Sequence, residues 1–201
     1  MAFTFFFRDH DVLELAVEHL LPEIAGRNRP LIWDAGCATG QEPYTLAIIL
    51  AERMGPFAYK NMRIIASDLD DTDTFGALVT NAIYPKQEVN RIPEEIRNRY
   101  FVPADLPDNL KLVDLVRERV NFKKHNLLTL QPLGDYLSLI ICKNVLLHFE
   151  QQQRIDVIKM YHASLAPRGL LIFEQTQTLA EELIPLFETV VPNRSIFRKR
   201  E

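Results

Sequence analysis

An apolar run, Pro30-Leu31-Ile32-Trp33, passes into Asp34-Ala35-Gly36-Cys37-Ala38-Thr39-Gly40-Gln41-Glu42-Pro43-Tyr44 and then into a second apolar run, Thr45 to Ala51. The first run reads as a buried strand and the second as a helix. Two glycines four apart lie between them. A strand, a glycine turn and a helix form the opening unit of a nucleotide-binding α/β domain. Glycine lets the backbone approach a ligand, and the helix start offers N–H groups without helical partners. A tight strand-to-helix turn with no ligand explains the stretch equally well when it is read alone.

The missing features narrow the ligand. No G-x-G-x-x-G series is present, so NAD and FAD are not indicated, and no Lys-Ser or Lys-Thr follows the second glycine, which excludes a P-loop. What remains, D-x-G-x-x-x-G after a strand, suits a ligand with an adenosine and no phosphates. S-adenosylmethionine (SAM) is such a ligand.

The rest of the chain alternates strands and helices. Asp9 or Asp11 can cap a helix carrying Val12, Leu13, Leu15, Ala16, Leu20 and Leu21, with a bend at Pro22 and an end at Gly26. Gly55-Pro56 reads as a break. Met62 to Asp68 is a second buried strand, followed by a helix capped at Asp71 or Thr72. Residues 84–125 break the rhythm and read as a small inserted antiparallel subdomain, with a short helix over Ile92 to Tyr100 that carries Pro93 in its first turn. Tyr136 to Cys142 is a third buried strand. A helix over 151–165, a strand at Leu170 to Phe173 and a C-terminal hairpin turning at Pro192-Asn193 complete the pattern. The expected fold is a single Rossmann-like α/β domain over 1–201, mostly parallel, with an antiparallel hairpin at its edge. That plan is usual for SAM-dependent methyltransferases.

Composition limits the alternatives. The 201 residues carry a formal net charge of −4, which gives no general electrostatic case for nucleic acid. Cys37 and Cys142 form no metal-ligand or disulfide spacing, so no metal is expected and a reducing compartment is suited. The apolar start lacks a basic region before it, and no apolar run approaches ~20 residues, so neither a secretory signal nor membrane insertion is expected. A cytoplasmic protein follows as the default.

Four clusters fall at the C-terminal ends of the proposed strands, where ligands bind in open α/β sheets. Gly36 and Gly40 admit close approach of the backbone. Glu42 either pairs with a cofactor ammonium or serves as a first-turn acid favoured by the helix dipole. Asp68 is placed to accept ribose hydroxyls, and its alternative role as a helix cap is weakened by the nearby Asp70, Asp71 and Thr72. Asn126 reads first as a loop asparagine and second as a reader of an adenine edge. Cys142 to Phe149 follows the central strand and faces the reactive end, with His148 either structural or catalytic.

Together these pieces resemble the CheR-type chemotaxis receptor methyltransferases. The matching segments are Thr4-Phe5-Phe6-Phe7-Arg8-Asp9, Trp33 to Tyr44, Ala66-Ser67-Asp68-Leu69, Arg99-Tyr100-Phe101, His125-Asn126-Leu127-Leu128 and Cys142 to Phe149, in family order. The resemblance implies SAM, and its product S-adenosylhomocysteine, held by Thr4, Arg8, Glu42, Asp68, Asn126, Leu127 and Asn144, with Gly36, Gly40 and Val145 around them. It implies methyl transfer to glutamate carboxylates of a protein substrate such as a chemoreceptor, with Arg8 holding the carboxylate and His148 near the methyl. The chain departs from the family at Lys143, where arginine is usual, and at His148, where tyrosine is usual. Gln41 stands where an acid is common and Ala2 where asparagine is common. The family's helical N-terminal domain is expected to be missing ahead of Thr4. A SAM-binding regulatory or scaffold protein, and a methyltransferase for another acceptor with His148 as general base, are the alternatives.

Overall fold

The computed structural model describes residues 4–174 and 178–200. The chain opens with helix α1 (His10–Ile24), which runs through Pro22, and enters β1 (Leu31–Ala35). Helix α2 (Gln41–Arg53) follows the glycine turn. Gly55-Pro56 then starts a further short helix, α3 (Pro56–Asn61), because proline suits a first helical position whose N–H has no helical partner. Strand β2 (Arg63–Asp68) leads to α4 (Phe75–Asn81). That helix begins later than Asp71 or Thr72. Asp70 governs its start, its carboxylate accepting N–H bonds from Thr74 (2.9 Å), Phe75 (3.0 Å) and Gly76 (3.1 Å).

The inserted segment holds β3 (Ile83–Pro85), α5 (Lys86–Val89), α6 (Glu94–Tyr100), β4 (Phe101–Pro103), β5 (Asn109–Leu112) and α7 (Asp114–Arg117). Strands β3, β5 and β4 form a separate antiparallel sheet in that order. Strand β6 (Val120–Lys124), expected within the insertion, instead pairs in parallel with β2 in the main sheet. It is an edge strand. Val120 and Phe122 pack on the core, while Asn121, Lys123 and Lys124 keep the outer side polar. Such a strand has no continuous apolar run to betray it.

The chain then builds β7 (Leu137–Cys142), α8 (Gln151–Ser164), β8 (Leu165–Phe173), β9 (Phe187–Thr189) and β10 (Ile196–Lys199). Strand β8 is longer than expected and passes through Pro167-Arg168-Gly169, with a register irregularity against β7. Among the described residues the main sheet runs β6-β2-β1-β7-β8-β10-β9, parallel except for the terminal hairpin. Its two faces carry two cores. Ile32, Ile64, Leu139, Ile141 and Ile172 pack under α1 and α2, and Trp33, Ile140, Cys142, Leu171 and Phe173 pack under α8. The chain winds outward from β1 to β2 and β6, then returns to β7 on the other side of β1. That reversal opens a crevice at the C-terminal ends of β1 and β7, the place where open α/β sheets bind ligands.

Candidate functional site

The crevice is bordered by loops that each leave a strand end. Gly36, at φ 117°, turns the chain out of β1 while its N–H donates to Ser67 O at 2.7 Å. A Cβ there would fall 2.1 Å from Val145 Cγ2. Glycine is therefore what lets the β7 loop close over the β1 loop. Gly40, at φ 98°, borders neither cavity described below. A Cβ on it would meet Tyr84 Oη at 2.7 Å, and Tyr84 hydroxyl donates to Thr39 O at 2.8 Å. Gly40 thus seats the inserted segment against the turn.

Two adjoining cavities occupy the crevice. The larger, about 530 Å³, brings together Thr4, Arg8, Glu42, Asp68, Asn144 and His148 over Gly36 to Ala38. The smaller, about 210 Å³, lies over Asn126, Leu127 and Leu128 and is mostly apolar. Gly36, Asp68, Val145 and His148 border both. Every expected site residue except Gly40 is therefore gathered at one place; Ala2 lies outside the described residues.

Asp68 is held from two sides. Ala38 N–H donates to its Oδ2 at 2.9 Å and Asp70 N–H approaches its Oδ1 at 3.4 Å. The carboxylate fixes the glycine loop as well as lining both cavities. Asn126 caps the short 3-10 turn Leu127–Thr129, its Oδ1 accepting from Leu128 N–H at 2.9 Å. Beside it, burial pushes the His125 imidazole below its ordinary value, so the neutral ring is favoured against Trp33. Asn144 sits in the left-handed region at φ 60°, and its N–H donates to Glu174 Oε2 at 3.0 Å.

The Glu42 end of the larger cavity is dominated by charge. Lys143 is buried, with Nζ 2.8 Å from Glu42 Oε2 and 3.0 Å from Asp9 Oδ2. Burial alone would lower its pKa, but Glu42 and Asp9 more than offset this and hold the ammonium charged. Glu42, expected to meet a cofactor ammonium, already carries one cation. Asp9 occupies the N-cap position of α1 yet makes no side-chain cap bond, contrary to the expected capping. Gln41 donates from Nε2 to Glu88 Oε2 at 2.9 Å. An acid at position 41 would oppose that carboxylate, which accounts for the amide.

Asp34, the acid that opens the D-x-G-x-x-x-G pattern, is given no role of its own from sequence. It lies on the α1–α2 face of β1, fully buried, and neither carboxylate oxygen has a hydrogen-bond partner among the described residues. Desolvation, then Glu42 and Asp68, push its pKa well up, with Lys143 opposing. Only the alternation along β1, which sets it beside Ile32, hinted at its burial.

A parallel sheet reversing at β1 and β7, an antiparallel terminal hairpin, a glycine turn and an acid after the second strand together define a class I SAM-dependent methyltransferase fold. More narrowly, the chain belongs to the CheR methyltransferase family: the family description "CheR methyltransferase, SAM binding domain" matches residues 2–191. Curated relatives include chemotaxis protein methyltransferase 2 of Vibrio cholerae, 31% identical over 88% of this chain and 62% of that protein. Chemotaxis protein methyltransferase 1 of the same organism is 31% identical over 98% of this chain and 71% of that protein. Chemotaxis protein methyltransferase 2 of Pseudomonas aeruginosa is 31% identical over 83% and 60%. The chain thus spans roughly two thirds of the length of these relatives. SAM is the family's cofactor, and the residues present fit it. Asp68 borders both cavities, and the smaller cavity is apolar enough for a base.

Proposed function

We propose that this chain is the catalytic domain of a SAM-dependent methyltransferase that esterifies glutamate side chains of a protein, a chemoreceptor-like signalling protein being the substrate class. The observation that carries the reading is the placement of Arg8 and His148 on the cavity that Asp68 and Glu42 line. SAM supplies an electrophilic sulfonium methyl. Asp68 takes the ribose hydroxyls, and Asn126 and Leu127 border the base. Glu42, Thr4 and Asn144 surround the amino-acid end. The acceptor, with a pKa near ~4.3, is ionised at neutral pH and needs no general base. Arg8 holds that carboxylate by charge-assisted hydrogen bonds and aligns it, and alignment of this kind contributes on the order of 7–11 kcal/mol. The main sheet and the small β3-β5-β4 sheet work as one unit, which we place in the cytoplasm.

A second reading, a SAM-binding regulatory protein with little catalysis, draws on the Lys143–Glu42 pair, which engages one oxygen of the acid expected for the ammonium. Two measurements separate the readings. Calorimetry with SAM and S-adenosylhomocysteine should show binding at or below millimolar concentration, and NAD should show none. Methyl-labelled SAM with chemoreceptor fragments should then yield label released as methanol by alkali. Label that survives alkali contradicts an ester, and binding without transfer favours the regulatory protein.

A further inference from the structure

We propose that Lys143 is a positioning residue that ties the N-terminal segment bearing Thr4 and Arg8 to the amino-acid end of the cofactor cavity. The proposal rests on the reading of Arg8 and Glu42 given above. Lys143 leaves the end of β7, Glu42 stands in the first turn of α2, and Asp9 precedes α1. One ammonium, whose side chain is 6% exposed, bridges all three at 2.8 and 3.0 Å. Arg8 Nε lies 3.8 Å from the same Asp9 Oδ2 that Lys143 holds. The charges form a line, Arg8, Asp9, Lys143, Glu42, running from the proposed acceptor site to the proposed cofactor site.

The backbone is shaped to make this line. Phe7 (φ 60°) and Asp9 (φ 48°) are both left-handed, a conformation that costs most residues energy. Asp9 is of the type that caps a helix, and its position is the cap position, but its carboxylate points to Lys143 instead. The local chain forgoes a cap to make a bond 134 positions away. Beside that bond the segment is held by Phe7 N–H donating to Thr45 Oγ1 at 3.0 Å, also on α2. Lysine, with a point charge and rotatable donors, can serve two carboxylates at once.

Amide hydrogen exchange of residues 4–12 tests this, with the full chain free and saturated with S-adenosylhomocysteine. Without ligand, Lys143→Met is expected to speed exchange of that segment on the order of tenfold, the factor one charge-assisted bond supports. Exchange in β7 and β8 should stay as it is. With ligand, the wild type is expected to gain protection over 4–12. Lys143→Met should bind yet lose that gain, and Lys143→Arg should restore it. Asp9→Asn should reproduce Lys143→Met, and the double variant should add little. Unchanged exchange in ligand-free Lys143→Met, or a full ligand response in it, overturns the proposal. If the wild type fails to bind the ligand, the cofactor reading falls, while the ligand-free comparison still decides whether Lys143 holds the segment.

Discussion

The two ends of the crevice are built by different means. At the proposed adenosine end, backbone geometry does the shaping. Gly36 and Val145 interlock, Asp68 grips the Ala38 amide, and Asn126 caps a 3-10 turn. These are short-range constraints between adjoining strand ends. At the proposed reactive end, long charged side chains do it, through Lys143, Glu42, Asp9 and Arg8 drawn from three separate stretches. The first kind of site is intolerant of added atoms. The second is sensitive to charge and tolerant of shape.

The largest effect should follow an added atom at the first end. Gly36→Ala places a methyl within 2.1 Å of Val145 Cγ2 and in a left-handed conformation. Strain of about 1–3 kcal/mol and overpacking of similar size combine to a loss of about 2–6 kcal/mol. Thermal denaturation should show it, and Val145→Ala should recover the packing share alone. No loss in Gly36→Ala would show that the loops are free to part.

Next comes a comparison of neighbours. Asp68→Ala should weaken cofactor binding about a hundredfold, since it removes charge-assisted bonds worth ~1.5–3 kcal/mol each. Asp70→Ala removes the acceptor of three N–H groups at the start of α4, which should cost about 0.5–2 kcal/mol of stability. Its effect on affinity should stay within about threefold. Calorimetry and melting measured together decide it, and equal losses of affinity would sink the ribose assignment.

How far each end could be read from sequence follows the same division. Strands β1, β2 and β7 are buried on both faces, so their apolar runs announce them. The glycine turn and Asp68 sit directly at their ends and were legible with them. Strand β6 was not, because an edge strand alternates with polar residues. The packing of Gly40 was not legible because its neighbour, Tyr84, comes from the inserted segment. The Lys143 bridge was invisible because the pattern around Asp9 looks like an ordinary helix cap, and nothing local says that its partner is elsewhere.

Asp34 yields a smaller, pH-dependent effect. Its folded pKa is raised above the unfolded value near ~3.9, so the protein is favoured below that value and loses this contribution as pH rises through the folded pKa. Asp34→Asn removes the ionisation at nearly constant shape. The melting temperature of the variant relative to wild type should therefore climb from pH 5 to pH 8, by roughly 2–4 °C for each kcal/mol of relief. A constant difference across that range would mean that the folded carboxyl of Asp34 is already ionised by pH 5, as the unfolded one is.

The smallest effect should come from His148, although it borders both cavities. It stands exposed on the 3-10 turn Leu146–His148, within reach of whatever occupies the crevice. The proposed acceptor, a carboxylate, needs no deprotonation, so on that reading His148 contributes surface and polarity rather than a proton-transfer step. His148→Phe should then lower methyl transfer by less than about tenfold and leave cofactor affinity unchanged. Loss of a general base would cost about 10²–10⁴-fold and remove an acid limb from the pH–rate profile. A loss of that size, with that change of profile, would show that the acceptor arrives protonated and is something other than a carboxylate. The reactive end would then be defined by one proton-transfer residue, as sharply constrained as the adenosine end, and its charged side chains would be secondary to it.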